Sequence, residues 1–159
     1  MREPAAPTPA GPPVVVRSTS EEETVAAGER LGRTLAAGDV VAISGPLGAG
    51  KTRFVRGICR ALGTGRNVSS PTFTLVHEYA APGLAVFHFD FYRISSASEL
   101  TQIGFSEYLE RGDAVCLIEW ADRVAEFLPA ARYDVRMDVG DDPNVRTIEV
   151  RRLAREGEQ

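Results

Sequence analysis

No apolar run in this 159-residue chain approaches the roughly 20 residues needed to cross a bilayer. The opening MREPAAPTPAGPP lacks the apolar core of a secretory signal, so the chain is expected to be cytoplasmic, with no membrane role. Cysteine is scarce. Cys59 and Cys116 lie far apart without a C-x-x-C spacing, which fits reduced thiols and no disulfide framework. With His77 and His88 the only histidines, no Cys/His set has zinc spacing either. The net charge of -4 gives no reason to expect direct, nonspecific nucleic-acid binding, although it leaves open a partner that handles nucleic acid. Lysine is almost missing: Lys51 stands alone among 18 basic residues.

Proline is the one residue that crowds. Half of the ten prolines fall in the first thirteen residues, where there is almost nothing to bury. Residues 1–13 are therefore expected to form a disordered or extended tail, 14–153 a single domain, and 154–159 a frayed end. Within the domain, strand and helix patterns alternate. VVVRST reads as a strand, and Ser20 with Glu23 forms a capping box that starts a helix ending near Gly38. DVVAIS is a short apolar strand. After it Phe54, Val55, Ile58, Cys59 and Leu62 recur at helical spacing, with Gly63 as the stop. TFTLVHEY and LAVFHFDFY read as two strands around the turn APG. In the second, Phe87, Phe89 and Phe91 share one face, and Val86, His88, Asp90 and Tyr92 the other. SASELTQIGFSEYLERG predicts one or two short helices, AVCLIEW a buried strand, and YDVRMDV with RTIEVRRL a closing hairpin.

The single lysine sits in Gly45-Pro46-Leu47-Gly48-Ala49-Gly50-Lys51-Thr52, a match to G-x-x-x-x-G-K-[ST] between a strand and a helix, as that motif requires. Glycines let backbone N–H groups turn inward around a phosphate, and the helix N-terminus adds positive potential there. A compact ammonium reaches between β- and γ-phosphates where a planar guanidinium is too wide, so an arginine-biased chain keeps lysine here. The Lys51 side chain is expected to point into an empty phosphate site and to make few structural contacts. Thr52 offers a hydroxyl to Mg²⁺. Gly45, Gly48, Ala49, Gly50 and the adjoining Arg53 complete the nucleotide-binding candidates. The expected architecture is α/β, a P-loop NTPase-like three-layer fold around a mixed, mainly parallel central sheet.

A phosphate cradle needs a metal carboxylate nearby. Glu119 closes an apolar strand, either as an acid delivered to the ligand-binding edge of the sheet or as a surface glutamate at a strand end. Asp90 is the second candidate, and its alternative is a solvated edge strand. Ser69–Phe73, SSPTF, is either a mobile loop whose hydroxyls sense the γ-phosphate or a strand-entry turn set by Pro71. Trp120 reads as a core anchor that can also border the site. Arg93 is a candidate cation in cis. No N-K-x-D motif can exist when the one lysine is committed to phosphate, and no D-x-x-G follows Asp90. ATP is therefore favoured over GTP.

The segments GPLGAGKT, SSPTFTLVHEY, HFDFYR, ELTQIGFSEYL and LIEW, in this order, resemble the bacterial TsaE (YjeE) family across about Val14 to Leu153. Members are P-loop ATPases of the pathway that places a threonylcarbamoyl group on adenosine beside the tRNA anticodon. The resemblance implies that Lys51 and Thr52 bind the triphosphate and Mg²⁺, and that Asp90 and Glu119 serve the metal site. It implies a switch-like loop containing Thr72, and a nucleotide bordered by Trp120. The implied partners are TsaB and TsaD, with TsaD performing the transfer and tRNA met only through the complex. Lys51, Asp90 and Glu119 are thus the catalytic candidates of an ATPase. A small-molecule kinase with Asp90 as base, or a nucleotide-gated binding module with negligible hydrolysis, are the alternatives.

Overall fold

The computed structural model describes residues 7–65 and 68–154. A run of β-branched and apolar residues makes β3 (Val40–Ser44), and its glycine-rich exit leads straight into α2 (Lys51–Leu62). Before them come β1 (Thr8–Pro9), β2 (Val14–Ser18) and α1 (Glu21–Gly32). After them come β4 (Val76–Ala81), β5 (Leu84–Asp90), α3 (Ala97–Ile103), α4 (Phe105–Glu110) and β6 (Ala114–Glu119). The chain closes with a 3-10 segment (Ala121–Phe127), β7 (Arg132–Val139) and β8 (Arg146–Ala154).

One mixed sheet runs in the order β1-β8-β7-β3-β6-β5-β4, with β2 also on β8. The central strands β7, β3, β6 and β5 run parallel to one another. The antiparallel pairings lie at the margins, in the β4–β5 and β7–β8 hairpins and where β1 and β2 meet β8. Parallel strands buried on both faces explain why β3 and β6 read as unbroken apolar runs. Their alternate residues feed two separate cores. Val41, Ile43, Val86, Val115 and Leu117 pack under α1 and α2. Val40, Ala42, Phe87, Phe89, Cys116 and Ile118 pack under α3, α4 and the 3-10 segment. The result is three layers, helices on both sides of a sheet, as expected. On the second face Phe87, Phe89 and Phe91 are fully buried, each contributing about 1.5–3 kcal/mol of burial.

α1 and α2 pack with little side chain between them. A Cβ placed on Gly57 would lie 2.0 Å from the Val25 carbonyl oxygen, and one on Gly28 would lie 2.1 Å from that of Phe54. This contact seats α2, and therefore the loop before it, firmly on the domain.

Several boundaries depart from the sequence expectation. Ser20 caps α1 by accepting from the Glu23 N–H at 3.1 Å, but the Glu23 carboxylate reaches back to the Thr19 N–H at 2.8 Å. The helix stops at Gly32, short of Gly38, because both the N–H and the hydroxyl of Thr34 turn onto the Leu31 carbonyl. TFTL is not strand. The Leu75 N–H closes a turn onto the Pro71 carbonyl at 2.8 Å, Leu75 takes a left-handed φ of 67°, and β4 begins only at Val76. SASELTQIGFSEYLERG forms two helices, divided at Gly104 with φ 71°. Within the proline-rich segment Thr8–Pro9 pairs with Leu153 and Ala154 while staying exposed, an edge pairing that proline tolerates. Residues 1–6 and 155–159, assigned to the two tails, lie outside the described residues.

Candidate functional site

The loop Gly45–Gly50 lies at the carboxyl edge of the parallel strands, where open α/β sheets bind ligands. Two of its glycines are sterically required. A Cβ on Gly45 would meet the Met137 carbonyl oxygen at 2.3 Å, and Gly50 enters α2 with a left-handed φ of 94°. The two helix starts of this face contrast in a telling way. α1 carries a side-chain cap and three acidic residues in its first turn; α2 carries neither. Its first N–H groups and positive dipole end are left for an anion from outside.

Lys51 does not point into open space. Its ammonium donates to the Gly45 carbonyl at 2.7 Å and the Pro46 carbonyl at 2.8 Å, and it lies 4.0 Å from the Trp120 ring centre. The side chain is buried, which corrects the expectation of few structural contacts. The buried ammonium takes the nearest backbone carbonyls of its own loop. Burial pulls the Lys51 ammonium below its ordinary pKa, while Glu119, Asp90 and Asp122 oppose that fall. Trp120 reaches this place because the chain leaves β6 with a left-handed φ of 59° at that residue, an uncommon conformation for a bulky side chain.

Both acids are buried, so neither alternative of a surface glutamate or a solvated edge strand holds. β5 lies inside the sheet between β4 and β6, and the parallel register sets Asp90 beside Glu119. The Thr52 hydroxyl donates to the Glu119 carboxylate at 3.0 and 3.2 Å. The second Glu119 oxygen also meets His88 Nε2 at 2.5 Å. Asp90 holds the neighbouring loop: Ser70 Oγ and Thr72 Oγ1 (3.2 Å) donate to its Oδ2, and the Tyr92 N–H donates to its Oδ1 at 2.9 Å. Residues 69–75 are therefore a turn whose Ser70 and Thr72 hydroxyls point at the acid. Phe73, at the tip, is 83% exposed.

These groups surround a cleft of about 470 Å³. Of the residues singled out from sequence, Gly48, Gly50, Lys51, Thr52, Arg53, Thr72, Asp90, Glu119 and Trp120 line it. Gly45 and Ala49 do not: Gly45 faces a second cleft beyond Trp120, and Ala49 is buried with its N–H on the Pro46 carbonyl. Arg53 is paired with Glu21 at 2.7 Å. Arg93 turns away, stacking 4.7 Å from the Phe73 ring centre, and is not part of the lining. Among the described residues, the arginines that do line the cleft are Arg53 and Arg56. Arg56 was legible only through helical spacing, since it follows Thr52 by one turn of α2. Ser70 was legible as one of the loop hydroxyls. His88 was visible as a polar residue in an apolar strand, without a partner to explain it.

Comparison with known proteins follows the same lines. A family model described as threonylcarbamoyl adenosine biosynthesis protein TsaE matches residues 18–148. The chain is 41% identical over 127 residues to the tRNA threonylcarbamoyladenosine biosynthesis protein TsaE of Bacillus subtilis, covering 79% of this chain and 78% of that one. It is 44% identical over 126 residues to the Mycobacterium tuberculosis protein of the same name, covering 74% of each. The crystal structure of Bacillus subtilis YdiB matches with a TM-score of 0.75 at 33% identity, covering 90% of this chain and 87% of that one.

Proposed function

This chain belongs to the TsaE family, and on that premise we propose that it binds Mg·ATP in the cleft and hydrolyses it slowly in support of tRNA threonylcarbamoyladenosine formation. The observation that carries the reading is the uncapped start of α2, with Lys51 and Thr52 on its first turn and Glu119 and Asp90 facing them. Lys51 would exchange the Gly45 and Pro46 carbonyls for phosphate oxygens. Thr52 would turn an oxygen lone pair to the metal while its O–H still donates to Glu119. Glu119 and Asp90 would accept from metal-bound or attacking water. The donor set fits Mg²⁺, which binds through one or two carboxylates, a hydroxyl, water and substrate phosphate, not through a dedicated protein cage. Among the described residues no three His, Cys, Asp or Glu side chains cluster as such a cage. When bound, Mg²⁺ supplies charge neutralisation on the β- and γ-phosphate oxygens.

The isolated chain should be slow. Arg53 is engaged by Glu21, Arg56 donates to the Val68 carbonyl at 3.3 Å and Arg93 stacks on Phe73, so none of these three described arginines is committed to the transferred phosphate. Supplying one is worth a factor of ~10³–10⁵ in other P-loop systems. TsaB and TsaD are the proposed partners, acting by supplying that cation or by reordering the Ser69–Phe73 turn, with tRNA met only through the complex. The chain is read as a cytoplasmic protein; among the described residues no helix is long and apolar enough to cross a membrane. The test is phosphate release from Mg·ATP without any acceptor, measured with and without purified TsaB and TsaD. Slow release that accelerates with partners is expected. Fast hydrolysis indifferent to them, or ADP formation only with a small-molecule acceptor, would refute it.

A further inference from the structure

His88 occupies a position where an aliphatic residue would be expected. It lies mid-strand in β5, is fully buried, and shares its face with Val86, which belongs to the core under α1 and α2. A polar ring in such a place costs stability unless both nitrogens find partners. Both do. Nε2 meets the second oxygen of Glu119 at 2.5 Å, and Nδ1 lies 3.4 Å from the Tyr79 hydroxyl. Tyr79 is buried on the adjoining strand β4, and its hydroxyl also reaches the Ser69 carbonyl at 3.4 Å and His77 Nδ1 at 3.3 Å. A carboxylate only accepts, so Nε2 carries a proton toward Glu119; the single Tyr79 hydroxyl proton goes to the Ser69 carbonyl, with His88 Nδ1 in contact with that hydroxyl at 3.4 Å. Burial raises the Tyr79 phenol above its ordinary pKa, which keeps that hydroxyl a donor.

Thr52 is a poor fixed anchor for Glu119, because the role proposed for it requires its oxygen to face a metal. We propose that His88 is a positioning residue: it holds one oxygen of Glu119 so that the other stays aimed at Thr52 and the cleft. Through Tyr79 the same chain of contacts ends on the Ser69 carbonyl, at the start of the turn whose Ser70 and Thr72 hydroxyls rest on Asp90. The two acids are thereby linked by one connected set of contacts, from buried His88 and Tyr79 to the half-buried Ser70 and Thr72, and a shift of the Ser69–Phe73 turn is transmitted to Glu119 without direct contact. This inference rests on the reading of Glu119 as the acid that serves hydrolysis.

The experiment compares His88→Gln and His88→Asn in the full chain. A glutamine amide reaches as far as Nε2 and can still donate to Glu119; an asparagine amide reaches only the Nδ1 position and cannot. His88→Asn should lower kcat tenfold or more with Mg·ATP affinity within about twofold of wild type, and His88→Gln should recover most of the loss. Equal turnover in wild type and a folded His88→Asn, or equal losses in both variants that track their thermal stability, would overturn the proposal. Should His88→Asn fail to fold, nitrogen-15 NMR of the unmutated chain decides. A slowly exchanging proton on His88 Nε2 that moves upfield in Glu119→Gln supports the contact, and an Nδ1–H tautomer overturns it. Glu119→Gln separates the two levels. Wild-type hydrolysis in that variant defeats the underlying reading, whereas an inactive Glu119→Gln beside a fully active His88→Asn defeats only the role of the histidine.

Discussion

Lys51→Ala separates the two roles this lysine has in the structure. Truncation removes the bonds to the Gly45 and Pro46 carbonyls, at 2.7 and 2.8 Å, and the contact with Trp120 at 4.0 Å. Two bonds from a charged donor at about 1.5–3 kcal/mol each, with a cation–π contact of about 0.5–1 kcal/mol, give a gross loss of several kcal/mol. The net is much smaller. Gly45 is half-buried and Pro46 exposed, so water reaches both freed carbonyls. The desolvation that pulls the ammonium below its ordinary pKa disappears with the side chain. Stability should therefore fall by about 1 kcal/mol or less, a Tm change of ~2–4 °C at most for a chain of this size. Nucleotide affinity should fall further, because the ammonium trades neutral carbonyls for anionic phosphate. Losing that trade costs about 1.5–3 kcal/mol, roughly 10- to 150-fold in Kd. Thermal denaturation followed by circular dichroism reads the first quantity, and calorimetric titration with Mg·ATP the second. A folded variant with unchanged Kd would show that this loop is not the phosphate site. A variant unfolded at 25 °C would show that the lysine holds the loop together and that solvent does not compensate its carbonyls.

Three further outcomes follow from the same geometry. Glu119→Gln should keep Mg·ATP affinity within a few-fold but lose at least tenfold in turnover, since the acid acts on water and not on the base or sugar; single-turnover hydrolysis checks this. Cys59 and Cys116 are buried in the two opposite cores, and burial pushes both thiols up to about 12. Both therefore stay protonated at pH 8, and a thiol reagent should label neither in the native chain and both after denaturation; fast native labelling would contradict their burial. Gly57→Ala should destabilise by about 1–3 kcal/mol, because its methyl would fall 2.0 Å from the Val25 carbonyl and force α1 off α2. A melting temperature equal to wild type would mean that the helix contact is looser than described.

What the sequence determined alone is everything written in neighbouring residues. The strand–glycine loop–helix unit was legible because backbone freedom at Gly45 and Gly50, the apolar spacing of Phe54 to Leu62 and the stop at Gly63 are local preferences. The two faces of β5 were legible because a strand alternates with period two, whatever packs against it. Ser69–Phe73 stayed open between loop and strand entry, since Thr, Phe and Leu suit a strand and only the left-handed Leu75 ends that option. Tertiary structure decided the rest. Asp90 and Glu119 are distant in the chain, and only the parallel register of β5 on β6 makes them neighbours. The direction of Lys51 depended on which carbonyls were free and on a left-handed turn that brings Trp120 beneath it. The partner of His88 was likewise invisible, because a buried polar residue announces a need for hydrogen bonds without naming who meets it. Local dihedral preference and periodicity are properties of short segments. The partners of a buried charge are set by strand order and register, which no short segment contains.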